Sequence, residues 1–385
     1  MRRLQRTVRD EAGMSLIFVG MGMMAFLSAC MLAIDVGMLM TARNQAQNSA
    51  DAGALAGATA LYYDNFDDRS STGPAKTSAI TTGQANQVMG AVVSLTPADV
   101  EFLIGTGGIS NRVKVTVFRR ASRGNPLSTL IAKYFGMSTA DIAATATAEA
   151  SPANAMTCVK PFTIPDKWIE KQDPGGWTPD STFDMYDNHG NLLANPDEYI
   201  PATNKELYTG YDATRDKGYE IILKAGNDTK IAPSFYYPWR IPGNSGGSDY
   251  ERDIGGCNTL IMGFNADLDP EPGNMVGPTS AGMDVLIAKD PDAYWDDYKK
   301  EVVSTKNPSP RVVAIPLFDP KYYEEGKHSG EGASLRAVNY LGFFIEEMQG
   351  PDVKGRVCPI GGLYKGAGFG PGPAGAFPVA IRLVQ

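Results

Sequence analysis

The chain has 385 residues, of which 43% are hydrophobic and 20% charged, a balance that favours packed globular structure over disorder. Its net charge of −8 is unevenly spread: residues 1–150 hold 13 Lys/Arg against 11 Asp/Glu, and residues 151–385 hold 22 against 32. An acidic distal part repels polyanions, so nucleic acid is excluded as a partner class.

Arg2, Arg3, Arg6 and Arg9 precede an uncharged run over residues 13–34. At about 1.5 Å per residue, residues 14–34 span roughly the thickness of a bilayer core. A secretory apolar region is shorter, about 7–15 residues, and ends at its cleavage site. Here the apolar run continues past the small residues Ser28-Ala29-Cys30, which also approximate a lipobox. The reading is therefore a retained anchor: residues 1–13 form a basic tail and residues 14–34 a transmembrane helix. Four arginines before the span, and only Arg43 shortly after it, place the N-terminus in the cytoplasm and the bulk outside it. Asp35 ends the run. A carboxylate in the middle of a bilayer costs about 2.5–3.5 kcal/mol on insertion scales, so Asp35 reads as the outer membrane boundary or as a polar contact with a neighbouring membrane helix.

Residues 35–62 are expected to continue the same helix. Ala42, Ala46, Ala50, Ala54 and Ala58 recur every four residues, and Ser49, Gly53 and Gly57 form a second small-residue row. Such rows make a smooth ridge that lets another backbone come close. The ridge fits either the chain's own domain or similar helices of other chains. Arg43, Gln47 and Asp51 line a polar row beside it.

Three segments in order resemble the N-terminal region of TadE/TadG-like proteins of the tight-adherence (Flp) pilus-assembly system. They are Arg9-Asp10-Glu11-Ala12-Gly13 before the apolar run, Ile34-Asp35-Val36-Gly37 at its end, and the stretch from Ala50 to Ala58, close to the family's ADAAALAGA signature with Gly53 in place of an alanine. The resemblance covers residues 9–60. It implies a pilin-like long helix, an inner (cytoplasmic) membrane location, and other pilus-assembly or minor pilin-like membrane proteins as partners beside the lipid bilayer. Prepilins are cut after a glycine and then carry Glu at the fifth position. Five residues after Gly13 stands Phe18, so the resemblance points to an uncleaved, TadG-like chain.

The fold class expected is α+β: the long transmembrane, pilin-like helix, a small α+β module over residues 63–150, then a larger mixed, strand-rich extracytoplasmic module over residues 151–385. In the first module, helices are predicted over 76–89 and 127–135, and strands over 100–104, 112–119 and 142–149. Apolar and polar residues alternate from Arg112 to Val117, as on a half-buried sheet. Residues 151–154 read as a linker. In the second module, strands are predicted over 219–224, 311–318, 335–346, 355–358 and 377–384. Helices are predicted over 279–288, with Thr279 as N-cap, and over 293–303, the two separated by Asp290-Pro291.

Beyond Cys30, the cysteines are Cys158, Cys257 and Cys358. In an oxidising compartment they admit three single pairs, among which the sequence does not choose; Cys158 with Cys257 is the pair favoured here. No cysteine pair has metal-ligand spacing and only His189 and His328 are present, so neither zinc nor another cofactor is expected.

Several motif matches are discounted. Gly243-Asn244-Ser245-Gly246-Gly247 fits G-x-S-x-G, but Pro242 before it and Ser248-Asp249 after it read as loop and not as a strand-to-helix elbow. The stretch from Gly370 to Gly375 fits G-x-G-x-x-G but carries two prolines. Asp267, Asp269 and Glu271 resemble a calcium loop interrupted by Pro270 and Pro272. The aromatic cluster from Phe235 to Trp239 reads as packing or as a binding patch. Two function classes follow. The first is a non-enzymatic, membrane-anchored pilus-assembly protein acting by helix packing and extracytoplasmic protein contacts. The second is a membrane-tethered periplasmic enzyme or carbohydrate-binding module, for which Asp184, Asp187, Asp267 and Asp269 would have to converge.

Overall fold

The computed structural model describes residues 12–64, 68–105, 109–226, 230–306, 308–329, 334–366 and 368–384; the arginines of the basic tail lie outside the described residues. Helix α1 (Ala12–Tyr63) is a single helix of 52 residues. It contains no proline and is rich in Ala, Met and Leu, so nothing interrupts its hydrogen-bond ladder over about 78 Å. Its two halves differ. Leu16, Phe18, Phe26 and Leu32 are exposed, whereas the ridge from Ala42 to Leu61 is buried. The exposed half makes α1 long and apolar enough to cross a membrane.

The proximal module wraps the second half. Helix α2 (Pro74–Ala85) lies along α1 and starts two residues before the expected 76, because Pro74 at its first turn pre-sets the helical backbone. Strands β1 (Val100–Leu103), β2 (Arg112–Arg119), β3 (Leu127–Ser128), β4 (Thr139–Ala140) and β5 (Ile142–Pro152) follow. The alternation in β2 is realised fully, with Val113, Val115 and Val117 facing α1 and its neighbours in one core. Two expectations are corrected. Residues 127–135 are not a helix: β3 ends at Ser128 and a short 3-10 turn covers Ala132–Phe135, because the amides of Leu130, Ile131 and Ala132 are taken by Asp35. Residues 151–154 are not a linker either; β5 runs on to Pro152, and Ala153 and Asn154 are buried.

The distal module contains β6 (Ala155–Thr157), β7 (Phe162–Pro165), β8 (Glu220–Ala225), β9 (Phe235–Arg240), α3 (Gly247–Gly255), β10 (Ile261–Gly263), β11 (Ala266–Pro270), α4 (Val276–Lys289), β12 (Tyr294–Asp296), β13 (Glu301–Val303), β14 (Val312–Phe318), α5 (Pro320–Ser329), β15 (Leu335–Gln349), β16 (Asp352–Val357) and β17 (Val379–Val384). Strands run β15-β14-β7-β9-β8-β16, and β16 pairs back onto β15, closing a six-stranded barrel. Closure leaves no free sheet edge in the ring. Phe162, Ile315, Leu341 and Phe343 share its core with Ile254 of α3 and Met283 of α4.

Residues 293–303 are a β12–β13 hairpin and not a helix, in keeping with the strand preference of Tyr294, Trp295, Val302 and Val303. Thr279 does not cap α4. It lies inside the helix, buried, with its hydroxyl hydrogen-bonded to Tyr250. The sequence reading missed α5, whose signal is Asp319-Pro320: Pro320 opens the helix and the Asp319 carboxylate accepts from the amide of Tyr322.

The two modules are sewn together. Strand β17 leaves the distal module and pairs with β5, so the proximal sheet has the order β1-β2-β5-β17 and bridges the division expected near residue 150. The far end of α1 reaches the distal module, where Tyr63 donates from its hydroxyl to the carbonyl of Ile360 (2.9 Å) and Lys217 donates to the carbonyl of Tyr63 (3.0 Å). Helix α1 is thus a shaft, bare at one end, clasped in the middle and docked at the other.

Candidate functional site

The predicted ridge is occupied by the chain's own proximal module. Ala42, Ala46, Ala50, Ala54 and Ala58 are all fully buried, in a core with Val113, Val115, Ala144 and Ala146. The second row meets α2. A methyl group at Gly53 would stand 2.9 Å from the carbonyl oxygen of Ala79, and one at Gly57 would stand 3.0 Å from the Ala79 methyl. Ser49 donates to the carbonyl of Gly83 across the same crossing (2.7 Å). Ala75, Ala79 and Gly83 give α2 its own small-residue row at four-residue spacing, a signal present in the sequence that the reading passed over. Of the two fits the sequence left open for this ridge, the structure realises the one with the chain's own domain. The face left outward carries Arg43, Asn44 and Asn48, which are exposed.

Asp35 sits where the bare part of α1 meets the module, and its carboxylate is nearly covered. Three consecutive backbone amides donate to it: Leu130 (2.8 Å), Ile131 (3.1 Å) and Ala132 (2.6 Å). Burial alone would raise its pKa. The bonds from Ala132, Leu130 and Ile131, together with the charge of Lys133, outweigh that and hold the carboxyl below the usual range. Among the described residues, the neighbours of Asp35 are amides of its own chain, some 95 residues downstream. The arrangement is an anion nest made by a loop and filled by a helix side chain. Replacing Asp35 by Ala is expected to leave these three amides without their acceptor and to speed their hydrogen exchange by about tenfold or more, with little change in the distal barrel. Unchanged exchange at residues 130–132 would show that the clamp does not hold the loop.

Cys158 and Cys257 form a disulfide, Cys358 is a buried free thiol and Cys30 lies exposed on α1. The acids singled out in the sequence are not gathered into one site. Asp267 pairs with Arg336 (3.1 Å), Asp269 with Arg240 (3.4 Å) and Glu271 with Arg240 (2.8 Å). The supposed calcium loop is therefore the strand β11 and its end, with guanidinium groups opposite its carboxylates. Asp187 accepts from the amides of His189 and Asn191, and Asp184 from the Thr182 hydroxyl. Among the described residues no group of three His, Cys, Asp or Glu is placed to hold a metal. Asp166 and Asp197, which the sequence did not mark, are raised to about 6 by burial. Both are supplied with donors from within the fold: Tyr199, Tyr208 and two amides for Asp166, the amides of Lys171 and Asp184 for Asp197.

The G-x-S-x-G stretch corrects one expectation, since β9 precedes it and α3 follows it directly. Ser245 is nevertheless exposed, and the recess beside it is lined by Arg240, Asp249, Asp253 and Glu271, with no imidazole to activate a hydroxyl. The 370–375 loop borders an open recess of about 700 Å³ with Asn154, Phe264 and Val338, and β17, not a helix, comes next. In the aromatic cluster Tyr236, Tyr237 and Trp239 are buried on β9, with the Trp239 indole donating to the carbonyl of Lys160 (2.9 Å). These are packing residues.

Residues 13–60 match the family model of Flp pilus-assembly TadE/G-like proteins. The matched segment covers α1 from its second residue to three residues before its end, so it takes in the bare half, Asp35 and the buried ridge. The match supports a role in pilus assembly. No curated protein and no solved structure matches the chain.

Proposed function

We propose that this protein is a non-enzymatic, membrane-anchored component of Flp-type pilus assembly. Its N-terminus lies in the cytoplasm, the bare half of α1 crosses the inner membrane, and both modules stand on the outer side. The observation that carries this reading is the coincidence of the pilus-assembly match with one continuous helix whose first half is apolar and exposed. The ridge from Ala42 to Ala58 serves as the internal axle of the proximal module. Contacts with other pilus-assembly or minor pilin-like membrane proteins then fall to the lipid-facing half of α1 and to the outer surfaces of the modules.

A C-terminally tagged chain in its native cell tests this. The tag is expected in the membrane pellet after alkaline wash, and protease added to spheroplasts should remove it. Removing residues 15–34 should release the protein from the membrane. A tag found only in sheared fibres, or a mature chain beginning downstream of Cys30, would overturn the uncleaved anchor.

A further inference from the structure

We infer that the loop over residues 129–138 is a second membrane contact, resting on the outer leaflet beside the point where α1 emerges. This rests on the anchored reading above and adds a named contact to it. Three observations converge on the loop. The first is position: Asp35, the residue that ends the apolar run, holds the amides of Leu130, Ile131 and Ala132, so the loop lies at the height of the membrane boundary. The second is surface: Leu130, Tyr134 and Met137 are 52%, 78% and 61% exposed on this one short loop. Large apolar side chains grouped on one exposed loop are a feature of surfaces that meet a partner or a membrane. The third is backbone chemistry. Peptide groups that lie against lipid must find partners inside the protein, and the clamp gives three consecutive amides an acceptor without water.

The helix gives the height. Residues 14–34 already span about 30 Å. The next charge after Asp35 is Arg43, with exposed Val36 and Met40 between them. Residues 35–42 add about 12 Å, which carries the helix through the outer headgroup layer. The covered carboxylate of Asp35 and the loop bound to it therefore sit inside that layer. Tyr134 suits a headgroup level, where amphipathic rings gather. Lys133, also exposed, presents an ammonium to lipid phosphates from the same turn. The occupant is the bilayer surface. A loop pinned there in addition to the span would fix the tilt of the shaft and keep the modules upright on the membrane.

The test uses the full chain in vesicles containing phosphatidylcholine brominated both near the headgroup end and near the middle of its acyl chains, with single added tryptophans. Phe26→Trp reports the span, Tyr134→Trp the loop, and Tyr298→Trp, at a 95% exposed position of the distal module, the solvent. Bromolipid is expected to lower the added emission at least twofold for Phe26→Trp and Tyr134→Trp and to leave Tyr298→Trp unchanged. Quenching at position 26 without quenching at position 134 overturns the loop contact while the anchor stands. No quenching at position 26 overturns the anchor and this inference with it. Equal quenching at positions 134 and 298 also overturns the inference, because the loop would then be no nearer the lipid than the distal surface.

Discussion

Gly57→Leu is expected to unfold the proximal module. Position 57 lies where three elements converge: a methyl group there would stand 2.9 Å from Cγ1 of Val113 in the sheet, 3.0 Å from the Ala79 methyl and 3.2 Å from the carbonyl oxygen of Ala75 in α2. None of these is the loose end of a long side chain. Val113 is a fully buried β-branched residue of β2, paired on both sides, and the Ala75 oxygen belongs to helix backbone. Extra methylenes forced into a packed core typically cost about 1–3 kcal/mol and occasionally more. The four carbons of leucine would have to push α2 or the sheet away from α1, at a cost of about 4 kcal/mol or more, a large share of the 5–15 kcal/mol that hold a typical domain. The melting temperature of the purified chain in detergent should fall by roughly 15 °C or more, with proteolysis appearing between residues 64 and 150. Gly37→Leu is the matched control, since nothing lies within 4 Å of that position. A Gly57→Leu protein that melts like the parent would mean that α1 and α2 do not approach as closely as described.

That crossing also shows what the sequence made legible. The four-residue spacing of alanines located the ridge, and Gly53, where the family signature has alanine, marks the place where the Ala79 carbonyl comes too near for a methyl group. The length of α1 was readable from its unbroken apolar and small residues, and β2 from strict alternation. What could not be read depends on contacts distant in sequence. Asp35 could be placed at a boundary, but its partners at 130–132 belong to a loop whose apolar residues imitate a helix until their amides are assigned. Strand β15 is buried on both faces from Ala337 to Ile345, so its sequence has no alternation to betray a barrel strand. The return of β17 to β5 is a pairing between residues more than 200 positions apart, and no local pattern announces it.

Replacing both Cys158 and Cys257 by serine is expected to lower the stability of the distal module by about 4–5 kcal/mol, because the bridge closes a loop of about 100 residues in the unfolded chain. The two cysteines are 99 positions apart, and the loop between them contains all of α3 and the strands β7, β8 and β9, half of those in the barrel. The bridge secures a corner that is fastened in other ways too. Buried Lys160 donates to the carbonyls of Ile254 and Gly256 (both 2.6 Å), Lys289 donates to that of Gly255, and Asn258 donates to that of Val159 (2.7 Å). The C-terminal carbonyls of α3 are thereby capped by lysine amino groups, Lys289 and Lys160, the latter with its pKa lowered by burial to about 7. With these bonds intact, the serine variant should still fold and should differ from the parent mainly in denaturation midpoint. The other two thiols supply the internal check. Burial pushes the Cys358 thiol up to about 12, so it should resist alkylation until the barrel opens. Denatured without reductant, the protein from its native cell should titrate two thiols, Cys30 and Cys358, of its four cysteines. A count of four would remove the bridge. It would also remove the chemical reason for placing the barrel in an oxidising compartment, because a structural disulfide persists where thiols are not kept reduced, and the cytoplasm keeps them reduced.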